Sequence, residues 1–172
     1  MKLLLRVAIS SFLRIKFRFA KLCTRGGQGS KAAPNNVLPP MGFDHGFAGL
    51  WTPQVVADWA GCEPTCNNCG QVCPTGAIRA LPIEEKRAAR IALAIVNRQT
   101  CLPHAEREDC RMCVDECAAA GYDAIEFVRV GGEFDKAGAP VEGSGFLAPV
   151  VLADKCVGCG LCQMRCHSIN VK

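Results

Sequence analysis

The spacing of the cysteines constrains this chain more than any other feature of its sequence. Its 172 residues include thirteen cysteines, and nine of them form three copies of the run C-x2-C-x3-C. The copies are Cys66, Cys69 and Cys73; Cys110, Cys113 and Cys117; and Cys159, Cys162 and Cys166. A further cysteine precedes each copy, at Cys62, Cys101 and Cys156. This spacing is typical of chains that hold [4Fe–4S] clusters through cysteine thiolates.

The chemistry of such clusters also predicts how the groups combine. A cubane cluster takes four thiolates, and in two-cluster ferredoxins the last cysteine of each run reaches the other cluster. Applied to the first two groups, this rule predicts one set of Cys62, Cys66, Cys69 and Cys117, and a second of Cys73, Cys101, Cys110 and Cys113. The third group, Cys156, Cys159, Cys162 and Cys166, is then an incomplete site.

A weaker copy of the spacing precedes the three groups. Residues 23–37 read CTRGGQGSKAAPNNV, and their four ligand positions fall at Cys23, Gly26, Gly29 and Ala33. We interpret this stretch as a degenerate fourth motif; a glycine-rich loop is the alternative. The third group would then lack one thiolate. Its options are a [3Fe–4S] cluster, a partner chain's cysteine, loss of the cluster, or ligation by Cys166, Cys23, His45 or His167.

Other uses of cysteine fit the pattern less well. Structural zinc takes four ligands, usually as two separated pairs, whereas each run here holds three cysteines. Disulfide frameworks belong to short secreted domains, and this chain is longer and has an odd number of cysteines. The run from Cys62 to Cys69 also spells the C-x3-C-x2-C of radical S-adenosylmethionine enzymes, but too few residues follow it for a barrel.

Charge divides sharply along the sequence. Residues 1–31 carry eight Lys or Arg and no acidic residue, whereas the remainder carries twelve basic and sixteen acidic residues. Residues 1–22 lack an apolar stretch long enough to span a bilayer, and they lack a secretory cleavage site. We expect a basic leader or arm there, either disordered or in peripheral contact with a membrane.

The remaining charge bears on partners and compartment. An acidic body suits docking onto a basic patch of a redox protein, although a merely soluble surface is the alternative. No nucleic-acid-binding motif is present in the sequence. The many reduced cysteines favour the cytoplasm or its membrane face, with periplasmic export left open.

Short elements are predicted around the motifs. Strands are expected at 77–81, 90–96, 124–130 and 145–154, with a helical link at 84–89. These predict an α+β, ferredoxin-like cluster-binding fold, in which short β-hairpins and small helices surround two clusters or three. The predicted segments are a basic leader (1–22), a degenerate motif with a connecting segment (23–60), a two-cluster core (61–130), and a hairpin with the third motif (131–172).

Residues outside the cysteine runs have modest predicted roles. We expect His104 to be solvated, and Trp51 and Trp59 to pack against the first cluster loop. No phosphate-binding loop, nucleophile–base pair or paired-carboxylate site is evident. The sequence therefore predicts no catalytic residues and no substrate site.

Two stretches carry a resemblance to a known family. Residues 49–103, which end in IVNRQTCLP, and residues 148–171, which contain KCVGCGLCQMRC, resemble polyferredoxins and multi-cluster ferredoxins of the MauM/NapG type. The resemblance covers about residues 23–172 and implies four motifs, with the inner two paired and the outer two paired. It also implies electron relay between a membrane quinol or dehydrogenase partner and a terminal reductase or oxidase.

The predicted function is therefore single-electron transfer between redox proteins, with two [4Fe–4S] clusters and a third, incomplete cluster. A cluster-braced structural or assembly subunit of a redox complex is one alternative. A degenerate polyferredoxin fragment with little function is another.

Overall fold

The computed structural model describes residues 19, 21–43, 46–133, 135, 141 and 143–166. Nearly all of the predicted basic arm lies outside the described residues, and so do His45 and His167. None of the helices within the described ranges is long and apolar enough to cross a membrane.

The regular elements are short. In chain order they are α1 (Gln28–Ala32), a 3₁₀ helix (Pro34–Asn36), α2 (Asn68–Gln71), α3 (Ile83–Ala88), α4 (Met112–Ala119), β1 (Ile125–Val130), β2 (Phe146–Val151) and α5 (Leu161–Met164). Long connecting segments join them. The described part is therefore a small α+β structure, in agreement with the predicted class.

Four stretches of the chain share one local backbone structure. A helix begins two residues after Cys66, Cys110 and Cys159, and another begins two residues after Gly26. In each, a backbone N–H donates to the carbonyl four residues earlier: Lys31 to Gly27, Gln71 to Asn67, Asp115 to Arg111 and Met164 to Gly160, at 3.0, 3.4, 3.0 and 3.1 Å. Residues 26–33 thus have the fold of a cysteine motif where the cysteines are missing.

The two strands form an antiparallel hairpin. Ile125 pairs with Val151 and Val130 pairs with Phe146, so both predicted strands are confirmed, the first nearly to its predicted bounds of 124–130 and the second, predicted at 145–154, without residues 152–154. Ile125 faces the core and Glu126 is exposed, as alternation along a half-buried strand requires. Pro149 cannot donate a ladder hydrogen bond, but it is tolerated because β2 has an unpaired edge.

The predictions for residues 77–96 were correct in part. The helical link predicted at 84–89 is α3, one residue earlier. Residues 77–81 and 90–96, both described, are not strands. The N–H groups of Ile91 and Ala92 both donate to the Val157 carbonyl, at 2.8 and 3.3 Å. Successive N–H groups of a regular strand point in opposite directions, so two bonds to one acceptor do not fit regular ladder pairing.

Close backbone approach joins the part of the chain around Cys62 to the part around Cys159. The Cys62 N–H donates to the Cys159 carbonyl at 2.7 Å. A Cβ on Gly61 would lie 2.6 Å from the Leu161 backbone nitrogen, and one on Gly158 would overlap the Ala92 backbone. The absence of side chains at these positions lets the two parts pack directly together.

Gly160 provides a test of this packing. It has φ +83°, and an added Cβ would lie 2.5 Å from the Ala57 Cβ. Gly27 occupies the equivalent position of its helix, at φ +74°, with open space around an added Cβ. Both alanine variants should suffer the left-handed penalty of about 1 to 2 kcal/mol. Gly160→Ala should suffer more, because it also crowds Ala57.

The measurement is the midpoint of anaerobic thermal unfolding for both variants. Adding Ala57→Gly to Gly160→Ala should recover part of the loss. Equal midpoints for Gly160→Ala and Gly27→Ala would contradict the predicted crowding.

Candidate metal centres

Four cysteines line the first cavity, together with aliphatic residues of the core: Cys101, Cys113, Cys162 and Cys166. Burial, and after it the thiols of Cys101, Cys110 and Cys166, raise the pKa of Cys113 to about 12. The pKa of Cys101 is also raised, first by burial, with Cys166 and Cys110 as its neighbouring thiols. Cys110 is not on the cavity wall, but its thiol raises the pKa of both Cys113 and Cys101, and Coulomb repulsion weakens with distance, so it lies near them. We call Cys101, Cys110, Cys113 and Cys166 set A; Cys162 also lines a second cavity and is grouped there.

A second group of four thiols lies beside set A. Cys117, Cys156, Cys159 and Cys162 all line one small cavity. Burial, and after it the thiols of Cys159 and Cys113, raise the pKa of Cys162 to about 12. The pKa of Cys117 is raised as well, by burial and then by Cys156, although the Ala124 N–H opposes this by donating to its sulfur at 3.4 Å. These four residues are set B.

Sets A and B interlock through a pair of helices. Helix α4 carries Cys113 of set A and Cys117 of set B, and it contacts α5, which carries Cys162 of set B. Cys166 follows α5 and belongs to set A. An ion pair of 2.9 Å joins Glu116 of α4 to Arg165, the residue that follows α5. Each run therefore gives its last cysteine to the other run's set.

A third cavity contains three cysteines. Cys62, Cys66 and Cys69 line a space of about 280 Å³, and Ala33 lies on its wall. Burial raises the pKa of Cys69, the thiols of Cys62 and Cys66 raise it further, and the Lys86 ammonium lowers it. We call the three cysteines set C. The rest of the wall includes apolar side chains, among them Val37 and Ile78.

The last two cysteines share a much smaller cavity. Cys23 and Cys73 line a space of about 30 Å³, together with Gly26 and Gly29. Burial raises the pKa of Cys73, but the Ile78 N–H, which donates to its sulfur at 3.4 Å, contributes to a net lowering. Gln28 occupies nearby space, because its Oε1 atom lies 2.5 Å from where a Cβ on Gly26 would be.

The structure groups the cysteines differently from the predicted ligand sets. Cys117 lies with Cys156, Cys159 and Cys162 rather than with the Cys62 group, and Cys166 takes the place predicted for Cys73 beside Cys101. The physical reason is which helices touch: α4 packs on α5, and α1 packs on α2. The prediction began its pairing at the first complete run. Counting residues 23–37 as a motif and pairing neighbours along the chain would have given the observed grouping.

Of three residues outside the runs with predicted surroundings, one differs from expectation. His104 is half-buried rather than simply solvated, and its Nε2–H donates to the Pro149 carbonyl at 3.0 Å. Its backbone N–H also lowers the pKa of Cys101. Trp51 and Trp59 are 65% and 72% exposed, so most of each side chain is accessible to solvent, and their packing against the first cluster loop stays a prediction.

Sequence reasoning missed Tyr122, which lies between sets B and C. Burial raises its pKa, and the thiols of Cys159, Cys62 and Cys117 add to that effect. The Arg87 guanidinium carbon lies 5.8 Å from the ring centroid and opposes the shift. Its position between two cysteine groups could not be read from spacing, because Tyr122 belongs to neither run.

The donor sets fit iron–sulfur clusters. Among the described residues, no three His, Cys, Asp or Glu side chains converge closely enough to hold a single metal ion. A cluster distributes its thiolates over separate iron atoms, so its ligands stand further apart. The raised pKa values of Cys113 and Cys162 mean that the thiols are neutral without metal, so cluster binding must release protons.

Known proteins resemble this chain in sequence. The ferredoxin-type protein NapG of Escherichia coli (strain K12) is 33% identical over 151 residues, which cover 86% of this chain and 61% of NapG. The methylamine utilization ferredoxin-type protein MauM of Methylophilus methylotrophus is 30% identical over 86% of this chain and 61% of MauM. The MauM of Methylorubrum extorquens is 29% identical over 86% of this chain and 62% of MauM. No family model and no solved structure matches the chain.

The relatives named above are all ferredoxin-type proteins, and this chain carries thirteen cysteines. Together these findings support the predicted class, an iron–sulfur electron-transfer protein. Within that class, the predicted resemblance to the MauM/NapG type is confirmed. The chain spans 61% of the length of the NapG protein it matches.

One hydrogen bond beside set B can be tested directly. Gln163 of α5 is 8% exposed, and its Nε2–H donates to Asp58 Oδ1 at 2.6 Å. Asp58→Ala should leave the buried amide without this acceptor, at a cost of about 1 to 3 kcal/mol. Asp58→Asn keeps an oxygen acceptor and should cost much less.

The measurement is the rate at which visible iron–sulfur absorbance is lost in guanidinium chloride. Loss should be faster for Asp58→Ala than for the parent chain or Asp58→Asn. Equal rates for the two variants would contradict a structural role for this hydrogen bond.

Proposed function

We propose that this chain relays single electrons between redox proteins through two clusters, one held by set A and one by set B. The observation that carries the proposal is the interlocking of two complete four-thiol sets on α4 and α5. Two-cluster ferredoxins exchange the last cysteine of each run in the same manner. The finer prediction of a ferredoxin-like arrangement follows from this proposal.

The chain's own residues would do three things for these clusters. Set A and set B would supply four thiolates each. The Ala124 N–H, which donates to the Cys117 sulfur, and the His104 N–H near Cys101 would stabilise negative charge on sulfur. The buried residues around Cys117 and Cys156 would exclude water. Bound clusters would supply reversible one-electron chemistry, whose potential depends on such hydrogen bonds and burial.

The two sets differ in access to solvent. Cys117 and Cys156 of set B are buried, whereas all four cysteines of set A are partly exposed. Electrons should therefore enter or leave at set A. Next to Cys110, residues 106–109 are exposed and carry Glu106, Glu108 and Asp109 with one arginine. This net negative loop supports docking by a partner with a basic patch, with an encounter rate that falls as salt increases.

The compartment and the membrane contact of residues 1–22 stay predictions. A cytoplasmic location, or one at the membrane face, agrees with the need to keep the thiols reduced until clusters are inserted. The absence of a substrate site also stays a prediction.

Reduction of the loaded protein tests the electron-relay proposal. After anaerobic purification, the full chain should contain at least about eight iron and eight sulfide atoms and little zinc. A potentiometric titration followed by EPR should show two interacting one-electron centres that reduce and reoxidise without loss of iron. Clusters that resist mild reductants would instead indicate a structural brace, and zinc without sulfide would refute both functions.

Two alanine variants test the ligand sets. Cys166→Ala should remove a thiolate from set A and convert or abolish one reducible [4Fe–4S] centre, because the one other cysteine on that cavity wall, Cys162, belongs to set B. Cys73→Ala should leave both centres unchanged, since Cys73 lies beside Cys23. The measurement is the number of reducible centres per chain by EPR spin quantitation. The opposite result would support the pairing predicted from sequence.

A further inference from the structure

Set C has three cysteines, whereas sets A and B have four each. In the α4–α5 pair, the cysteine seven residues after the second ligand position crosses to the partner helix's set; these cysteines are Cys117 and Cys166. In the α1–α2 pair, the equivalent residues are Ala33 and Cys73. Ala33 lines the cavity of set C. The position that should supply the fourth thiolate therefore supplies a methyl group.

The backbone fixes Ala33 in that place. Its N–H donates to the Gly29 carbonyl at 3.1 Å, and it has extended geometry with φ −74° and ψ 126°. Gly29 packs against α2, because an added Cβ would lie 3.5 Å from the Cys69 carbonyl oxygen. Helix α1 thus holds its end against set C. A cysteine at this position would need no backbone strain, since φ is negative.

The α1–α2 pair has a second cysteine group, beside set C, that lacks more of its ligand positions. It retains Cys23 and Cys73, while Gly26 and Gly29 occupy the other two ligand positions. Its cavity is about 30 Å³, against about 280 Å³ for the cavity of set C. Among the described residues of the α1–α2 pair, set C is therefore the place with both the thiols and the room for a cluster.

Few side chains could replace the missing thiolate at set C. Apart from the cysteines, Glu63 is the ionisable residue on the cavity wall. Its Oε1 atom already accepts a hydrogen bond from the Thr65 hydroxyl at 3.1 Å. The neighbouring wall is apolar, with Val37, Leu38 and Val55. The corner at Ala33 thus faces a surface without a strong iron ligand.

We propose that Cys62, Cys66 and Cys69 hold a third cluster whose fourth iron, at the Ala33 corner, has no protein thiolate and is removable. This inference rests on the proposed function, because it requires that the chain binds iron–sulfur clusters. The oxidised form is a three-iron cluster, and the reduced form takes up Fe²⁺ with water or a small-molecule thiol as its outer ligand.

The interconversion balances as a one-electron step. A [4Fe–4S]²⁺ cluster loses Fe²⁺ and one electron to become [3Fe–4S]⁺, and a one-electron oxidant such as ferricyanide accepts that electron. The three cysteine–iron bonds would be retained, the three bonds between the fourth iron and cluster sulfides would break, and that iron would leave with its external ligand. Reduction with added Fe²⁺ reverses the step.

Ala33→Cys is the decisive variant, and Ala32→Cys, one residue earlier in the same segment, is its matched control. In the parent chain, ferricyanide should produce the near-isotropic EPR signal of a three-iron cluster, at about one spin per chain, together with about eleven iron atoms. Ala33→Cys should abolish most of that signal and retain about one more iron. Ala32→Cys should behave like the parent chain, and Cys69→Ala should lose the signal.

The outcomes separate this inference from the proposed function. About eight iron atoms in both the parent chain and Ala33→Cys, with two reducible centres, would overturn the inference and leave the relay proposal standing. A three-iron signal that persists in Ala33→Cys would overturn it as well. Resistance of the parent chain to ferricyanide, relieved by Glu63→Gln, would overturn it in favour of carboxylate ligation. A chain without iron or sulfide would overturn both proposals.

Discussion

The structure depends on one constraint: the last cysteine of a run joins the thiol set of the neighbouring helix. Cys117 and Cys166 each leave their run and join the set of the partner helix, so α4 and α5 must lie side by side for either set to be complete. The hairpin, the buried Ala124 and Ile125, and the ion pair between Arg165 and Glu116 all support that arrangement. The same geometry in α1 and α2 explains why set C is complete except at Ala33.

Cysteine takes the place that large apolar side chains hold in most small folds. The buried cluster of the core contains Cys117 and Cys156 beside small or medium residues such as Ala94 and Ala124. Helices of four or five residues are too short to be stable alone. Much of the free energy that orders them should therefore come from ligation, so that folding and cofactor loading occur together.

Local features of this fold were predictable, and tertiary pairing was not. The alternation of Ile125 to Val130 predicted a strand, and the polar run after Pro82 predicted α3, because both patterns depend on neighbouring residues. Residues 90–96 have the composition of a strand but lie beside Val157 without a ladder. The twelve cysteines of the three runs were identified by spacing alone, whereas their grouping depends on which helices touch, a relation that spacing does not contain.

The hydrogen bond from the Cys62 N–H to the Cys159 carbonyl places set C next to set B, and the contact between α4 and α5 places set A next to set B as well. Under the proposed relay through sets A and B, transfer between those two would not require set C. Loss of iron from set C, by oxidation or iron starvation, would then leave that transfer intact. A cluster at set C would thus report on the chemical state of its surroundings without interrupting electron transfer between its neighbours.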